Sequence, residues 1–285
     1  MPLPPNLLGA ILALGAFGAY AWSDIVIKFL GQDYSSLQVL FTASLCSLPF
    51  ILTRALTAPG GRDLRPRLLG FMALRIALIV VNSVIVTYTF TKLPIAQCYA
   101  IFFCMPLLVT LFAAPLLGEN LDLPRILAMV TGFAGVLIAL RPGSEPLQFA
   151  HLTAVLGASL GAMNSLLMRV VGDRERPTVI LLYPAIAQVI ATGAVMPWVW
   201  HPMPATHWGL AALIGAFSTL GGLLIIAAYT RSRAIVVAPM QYSQIIWAAL
   251  AGLWIFGEPM DIWMILGIGV IISAGLFLLW RARAG

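Results

Sequence analysis

Apolar runs of about twenty residues, separated by short polar breaks, follow one another along the whole chain. A run of about 20 apolar residues is what one α-helix needs to cross a bilayer core. Backbone groups there have no water to bond, so the spanning options are helices or a closed barrel. These runs are continuous rather than alternating, which selects helices. Reading from charge cluster to charge cluster predicts ten helices: 7–29, 36–56, 68–90, 95–117, 124–141, 150–169, 178–200, 208–229, 235–256 and 262–280. Pro, Gly and charges mark nearly every break, and the links at Thr91–Pro94 and Arg231–Ala234 are the shortest. The predicted fold class is an all-α integral membrane protein. Of 285 residues, 61% are hydrophobic and 9% charged. A soluble domain carries roughly 25% charged residues, so this chain could not cover itself against water.

The N-terminus through Asn6 has no cationic side chain, and the apolar run after it reaches Leu30. That is too long for a signal-peptide core and is predicted to be a retained first helix. With the N-terminus in the cytoplasm, Arg54, Arg62, Arg65, Arg67, Arg125, Arg169, Arg174, Arg176, Arg231, Arg233, Arg281 and Arg283 fall at cytoplasmic ends. That is 12 of 16 cations. Lys28, Lys92 and Arg141 fall at the opposite ends, and Arg75 lies within the third helix. Cytoplasmic loops carry the excess of Lys and Arg, so both termini are predicted to be cytoplasmic.

Two breaks read almost alike: Gly118-Glu119-Asn120-Leu121-Asp122 and, 139 positions on, Gly257-Glu258-Pro259-Met260-Asp261. At the same offset Thr91-Lys92 falls on Thr230-Arg231. The pattern predicts two five-helix repeats, 1–147 and 148–285. Five is odd, so the second copy enters the membrane inverted. Glu119 then faces the cytoplasm and Glu258 the opposite side. Inverted repeats are a frequent plan of secondary transporters.

These features resemble the EamA branch of the drug/metabolite transporter superfamily. The likeness covers essentially the whole chain and rests on the Gly-Glu corner closing the fourth helix of each repeat. It rests too on Ala21-Trp22-Ser23-Asp24-Ile25-Val26-Ile27-Lys28 in the first helix and Met105-Pro106-Leu107-Leu108-Val109-Thr110 in the fourth. Departures are Ser23-Asp24 where the family more often has Asn, Phe41-Thr42-Ala43 where it often has Arg, and Ile245 in place of a second Pro106. The resemblance implies a carrier of amino acids, vitamins, nucleosides or similar metabolites. The superfamily's four-helix exporters place an acid deep in helix one. Here Gly15–Tyr20 holds none, so facilitated diffusion or symport is expected over that kind of proton antiport.

Charge within a span costs about 2.5–3.5 kcal/mol, so each instance needs a reason. Asp24 and Lys28 share a helical face four residues apart, a spacing suited to an intrahelical ion pair. A proton or substrate-amine site is the other reading of Asp24. Arg75, Asn82 and Thr89 follow at seven-residue steps and predict a polar stripe facing the interior. There Arg75 serves as a clamp for a substrate carboxylate, as a partner of helix ends, or as a snorkelling side chain. A central cavity is predicted from Trp22, Asp24, Arg75, Asn82, Tyr88, Gln97, Tyr99, Phe102, Phe103, Asn164, Ser218, Thr219, Gln241, Tyr242 and Gln244, amides and aromatics that suit a small amphipathic solute. Helix–helix hydrogen bonding is the competing explanation of Gln241 and Gln244. Trp198, Trp200 and Trp208 read as an interfacial belt. Gly118, Glu119, Gly257 and Glu258 read as turn-fixing signatures, with Asp122 and Asp261 as N-caps. Gly157 and Gly161 read as a close helix contact, and Cys46, Cys98 and Cys104 as small apolar residues.

His151, His201 and His207 lie near helix ends, and no nucleophile–base pair, metal spacing or phosphate loop occurs in the sequence. The chain is therefore predicted to be a secondary transporter of the cell inner membrane, working by alternating access. A passive channel or scaffold is the alternative, with a membrane-embedded enzyme behind it. No cofactor, metal or nucleic acid is expected. The expected partners are a small-molecule substrate and the lipid bilayer, with the chain acting as a monomer or homodimer.

Overall fold

A computed structural model describes residues 5–57, 64–117, 123–141, 147–171, 174–232, 237–258 and 260–284. All regular structure among them is helical. In chain order the elements are α1 (Pro5–Leu30), α2 (Ser36–Thr57), α3 (Leu69–Lys92), α4 (Ile95–Phe102), α5 (Met105–Leu117), α6 (Leu123–Leu140), α7 (Phe149–Val171), α8 (Pro177–Gly193), the one-turn α9 (Met196–Val199) and α10 (Ala205–Arg231). A 3-10 turn η1 (Ala238–Ser243), α11 (Gln244–Trp254) and α12 (Ile262–Ala284) follow. Five of the described helices are long and apolar enough to cross a membrane: Leu7–Leu30, Ser36–Thr57, Leu69–Lys92, Phe149–Met168 and Ala205–Arg231. Shorter apolar helices account for most of the rest.

Three predicted helices are divided. The run 95–117 breaks at the Phe103–Cys104 turn and restarts as α5. Pro106 suits the first turn of that new helix, where its missing N–H needs no partner. The run 235–256 begins as η1 and becomes α-helical at Gln244, with Pro239 in the opening turn. The run 178–200 stops at Gly193 and resumes for one turn around Pro197.

The packing partners exchange under the repeat offset. The broadest contact joins α1 to α10, and in the matching places α7 packs on α3. Likewise α2 meets α10 as α8 meets α3, while α2–α8 and α6–α12 join equivalent elements to each other. Small residues permit the tightest crossings. A Cβ on Gly267 would stand 2.5 Å from the Gly135 carbonyl oxygen, so α6 and α12 touch backbone to backbone. Gly161 plays this part between α7 and Met105. The largest buried cluster includes Phe90, Tyr99, Phe103, Leu107 and Ile271, drawn from α3, α4, the break after it, α5 and α12.

Candidate functional site

Two of the three divided helices, 95–117 and 235–256, meet inside the bundle. Phe103, at the α4–α5 break, and Tyr242, one residue before η1 gives way to α11, are related by the same 139 positions as the Gly-Glu corners. Their rings pack edge to face at 5.3 Å. Tyr99 stacks on Phe103 at 5.8 Å and meets Phe90 at 5.6 Å. The Tyr99 hydroxyl donates to Asp24 Oδ2 at 2.7 Å. Thus α1 and α4 share one polar contact beside an aromatic cluster. Beside it Trp247 lies 6.1 Å from Trp22 and against Gly18.

The expected Asp24–Lys28 ion pair is not formed. Lys28 Nζ instead donates to Glu258 Oε1 and Oε2 at 2.7 and 2.9 Å and to the Leu93 carbonyl at 2.9 Å. It also lies 5.0 Å from the centre of the Phe256 ring. An ammonium has three donors. Glu258 and Leu93 offer them three oxygens and the ring adds a π face, a fuller shell than one carboxylate on the same helix can give. Glu258 Oε2 further accepts from Ile95 N, the first residue of α4, at 3.3 Å. Arg141 at the end of α6 pairs with Asp261, and Asp261 Oδ1 accepts from Met264 N at 2.7 Å as an N-cap of α12. Two cations before residue 147 therefore hold the Gly257–Asp261 corner. Gly257 has φ 65°, a backbone conformation glycine adopts freely. A cleft of about 280 Å³ lies beside this clamp, bounded by Gln97, Arg141, Glu258 and Asp261.

The stripe on α3 faces protein. Arg75 Nη1 donates to the Ile180 carbonyl of α8 at 3.3 Å, Asn82 lies beside Gly161 of α7, and the Thr89 hydroxyl lies 3.0 Å from that of Thr153. Several buried polar atoms lack a protein partner among the described residues, including Arg75 Nε, Asn82 Oδ1, Asn164 Oδ1, Thr219 Oγ1 and the Tyr242 hydroxyl. They sit on α3, α7, α10 and η1, in both halves of the chain. Most buried polar atoms are satisfied, so each exception calls for an explanation. Ser218 lies 2.8 Å from Ser23 and ties α10 to α1. Phe102 is buried against Phe90. Tyr88 and Gln97 stand apart from the centre: Tyr88 meets the exposed Phe149, and Gln97 Oε1 lies 3.3 Å from His151 Nε2. Gln241 is half-buried on η1. Trp198 is exposed, and Trp200 and Trp208 pack at 6.0 Å. Gly118, Glu119 and Asp122 lie outside the described residues.

Sequence reasoning missed the roles of Lys28 and Glu175. Glu175 is buried and accepts from Arg67 N and Leu68 N at 2.5 and 2.7 Å, where α3 begins. The available signal was a lone acid between Arg174 and Arg176.

The profile of the EamA-like transporter family matches residues 7–141 and again 148–280. The S-adenosylmethionine uptake transporter of Rickettsia conorii is 26% identical over 265 residues, covering 92% of this chain and 88% of that one. The riboflavin transporter of Brucella anthropi is 27% identical over 274 residues, 93% of this chain and 96% of its own. The pseudopaline exporter of Pseudomonas aeruginosa is 24% identical over 282 residues, 97% of each. One solved crystal structure superposes with a TM-score of 0.63 at 15% identity, covering 97% of this chain and 98% of that one, a likeness of fold. The chain belongs to the EamA-like transporter family and is a multi-pass membrane transporter of small metabolites, not an enzyme.

Proposed function

We propose that the chain moves its solute by alternating access. Residues 1–147 and 148–285 act as two inverted five-helix repeats, each contributing five of ten spans, with both termini cytoplasmic. The Lys28 end of the bundle is then the outer end. The observation that carries this reading is the meeting of Phe103 with Tyr242, equivalent residues at the breaks of two equivalent helices. Discontinuous helices at a repeat interface are where transporters of this plan bind their cargo. The exchange of packing partners between halves supports the same plan. The solute site comprises Asp24, Tyr99, Phe103, Gln241, Tyr242 and Gln244, with Asn82, Asn164 and Thr219 supplying the buried polar atoms described above.

S-adenosylmethionine and riboflavin, named for two relatives, are the first solutes to test. Both carry a flat ring system that suits the aromatic walls, plus groups for oriented hydrogen bonds. The experiment is uptake of each labelled solute into proteoliposomes by wild-type protein, Asn164→Ala and Thr219→Val. The reading predicts saturable uptake with KM raised in both variants. Uptake linear in concentration and indifferent to both variants would refute it.

A further inference from the structure

We infer that the chain holds a lipid: the groove between α6 and α7 seats an acyl chain of a phosphatidylethanolamine whose head lies in the cleft beside the Glu258 corner. The groove encloses about 590 Å³ and is lined almost wholly by apolar side chains. Its floor is the buried Ile101, Cys104 and Leu108, and its walls are the exposed Leu137 of α6 and Leu152 and Val155 of α7. α6 packs chiefly on α12, and α7 on α3 and α5, so these consecutive helices stand apart. In the other half the matching space is filled. Val136 of the groove corresponds to Gly275 by the repeat offset, and a Cβ on Gly275 would collide with the Tyr242 hydroxyl. Phe103, the equivalent of Tyr242, packs on Tyr99 and Tyr242 instead and leaves the groove open.

The surrounding medium decides the occupant. An apolar recess does not hold water, and an unfilled one forfeits dispersion contacts along its whole lining. In a multi-pass membrane protein the matter at hand is lipid chain. Along α7 the lining runs from Phe149 to Ala158, about 14 Å at 1.5 Å per residue. That is close to half of a hydrocarbon core about 30 Å thick, the depth of one leaflet. The polar end is also marked. Leu140 lines both the groove and the cleft of about 280 Å³, and His151 of the groove lies 3.3 Å from Gln97 of the cleft. The two spaces therefore form one amphipathic recess. The cleft shows both signs of charge, the Arg141 guanidinium and the Asp261 and Glu258 carboxylates. Arg141 and Asp261 are 44% and 43% exposed, so each can meet a lipid head as well as the other. Guanidinium suits phosphate. The carboxylates accept from a primary ammonium, whereas a choline head has no N–H to donate and a glycerol head has no cation. Lipid tails are already in an apolar medium, so the groove supplies shape and the head supplies selectivity.

The test is native mass spectrometry of the purified full-length chain titrated with phosphatidylethanolamine, phosphatidylcholine and phosphatidylglycerol of identical acyl chains. Wild-type protein is expected to retain one phosphatidylethanolamine about tenfold more tightly than either other lipid, the worth of one charge-assisted hydrogen bond. Val155→Trp fills the groove from one wall and Leu137→Trp from the other. Each should abolish retention of all three lipids while unfolding at the wild-type temperature, and two walls are used so that a misfolded variant leaves the other to decide. Asp261→Asn keeps an N-cap for α12 and should bring phosphatidylethanolamine down to the level of phosphatidylcholine. Equal retention of the three lipids by wild-type protein, or a preference that survives Asp261→Asn, overturns the assignment of the head. Retention unchanged in both tryptophan variants overturns the groove as the seat of the chain. A lipid-free dimer that both tryptophan variants dissociate gives the groove to a second copy and overturns the lipid. None of these outcomes alters the reading that solute binds between the repeats.

Discussion

Glu258→Gln is expected to loosen the join between the halves where Lys28 meets the second Gly-Glu corner. Glu258 accepts two contacts from Lys28 Nζ, at 2.7 and 2.9 Å, and one from Ile95 N at 3.3 Å. The amide keeps one acceptor, but turns its NH₂ donors toward either the ammonium or the start of α4. Breaking a fully buried pair costs about 3–5 kcal/mol, whereas an exposed pair contributes about 0–1 kcal/mol. The Lys28 and Glu258 side chains are 10% and 30% exposed, which places the loss near 2 kcal/mol, about thirtyfold in an equilibrium constant. Because the pair spans the repeats, the loss falls on the state in which this end is closed. Cys98 supplies a native reporter: it is buried, with Sγ 3.7 Å from the Thr89 carbonyl and 4.0 Å from that of Leu93. In a Cys46→Ser, Cys104→Ser background, maleimide labelling of Cys98 in nanodiscs should accelerate up to about thirtyfold in Glu258→Gln. Adding Lys28→Met should recover part of the difference, since no stranded ammonium remains. Labelling and thermal unfolding at wild-type values in Glu258→Gln would refute the clamp.

Gly257→Ala should lower stability by about 1–2 kcal/mol, read as a reduced unfolding temperature, since φ 65° penalises a Cβ. Gly267→Leu should strongly reduce the yield of folded protein by parting α6 from α12. Gly269→Leu, whose Cβ would meet nothing within 4 Å, should leave the yield unchanged. Tyr99→Phe removes the hydroxyl bonded to Asp24 and should cost about 1.5–3 kcal/mol if that carboxyl is ionised, with the solute KM rising accordingly. An unchanged KM would mean that Tyr99 does not orient Asp24.

The span boundaries were legible because lipid imposes one simple length rule, and α1, α2, α3 and α10 start and end within a few residues of the predicted limits. The helix breaks were harder. Apolar periodicity continues through Phe103–Cys104 and through η1, so hydropathy cannot see the interruption, and only Pro106 and Pro239 hinted at it. The polar partners were the least legible. Local spacing joined Asp24 to Lys28, but a lysine side chain reaches whatever tertiary structure brings near, and the Glu258 corner is 230 positions away. The repeat offset held the missing information. It relates Phe103 to Tyr242 as it relates Gly118 to Gly257, and so marks the two ring positions that meet across the halves. The rings of Tyr88 and the amide of Gln97 were grouped with that centre by residue type alone. Helix phase sends them to α7 instead.

Counterflow most directly tests the claim that two halves alternate around one central site. Proteoliposomes loaded with excess unlabelled solute, the one identified by the uptake assay, are diluted into a trace of labelled solute. An alternating carrier predicts transient accumulation of label above its equilibrium level, reduced by Asn164→Ala. A monotonic approach to equilibrium, at a rate independent of internal solute, would contradict the account.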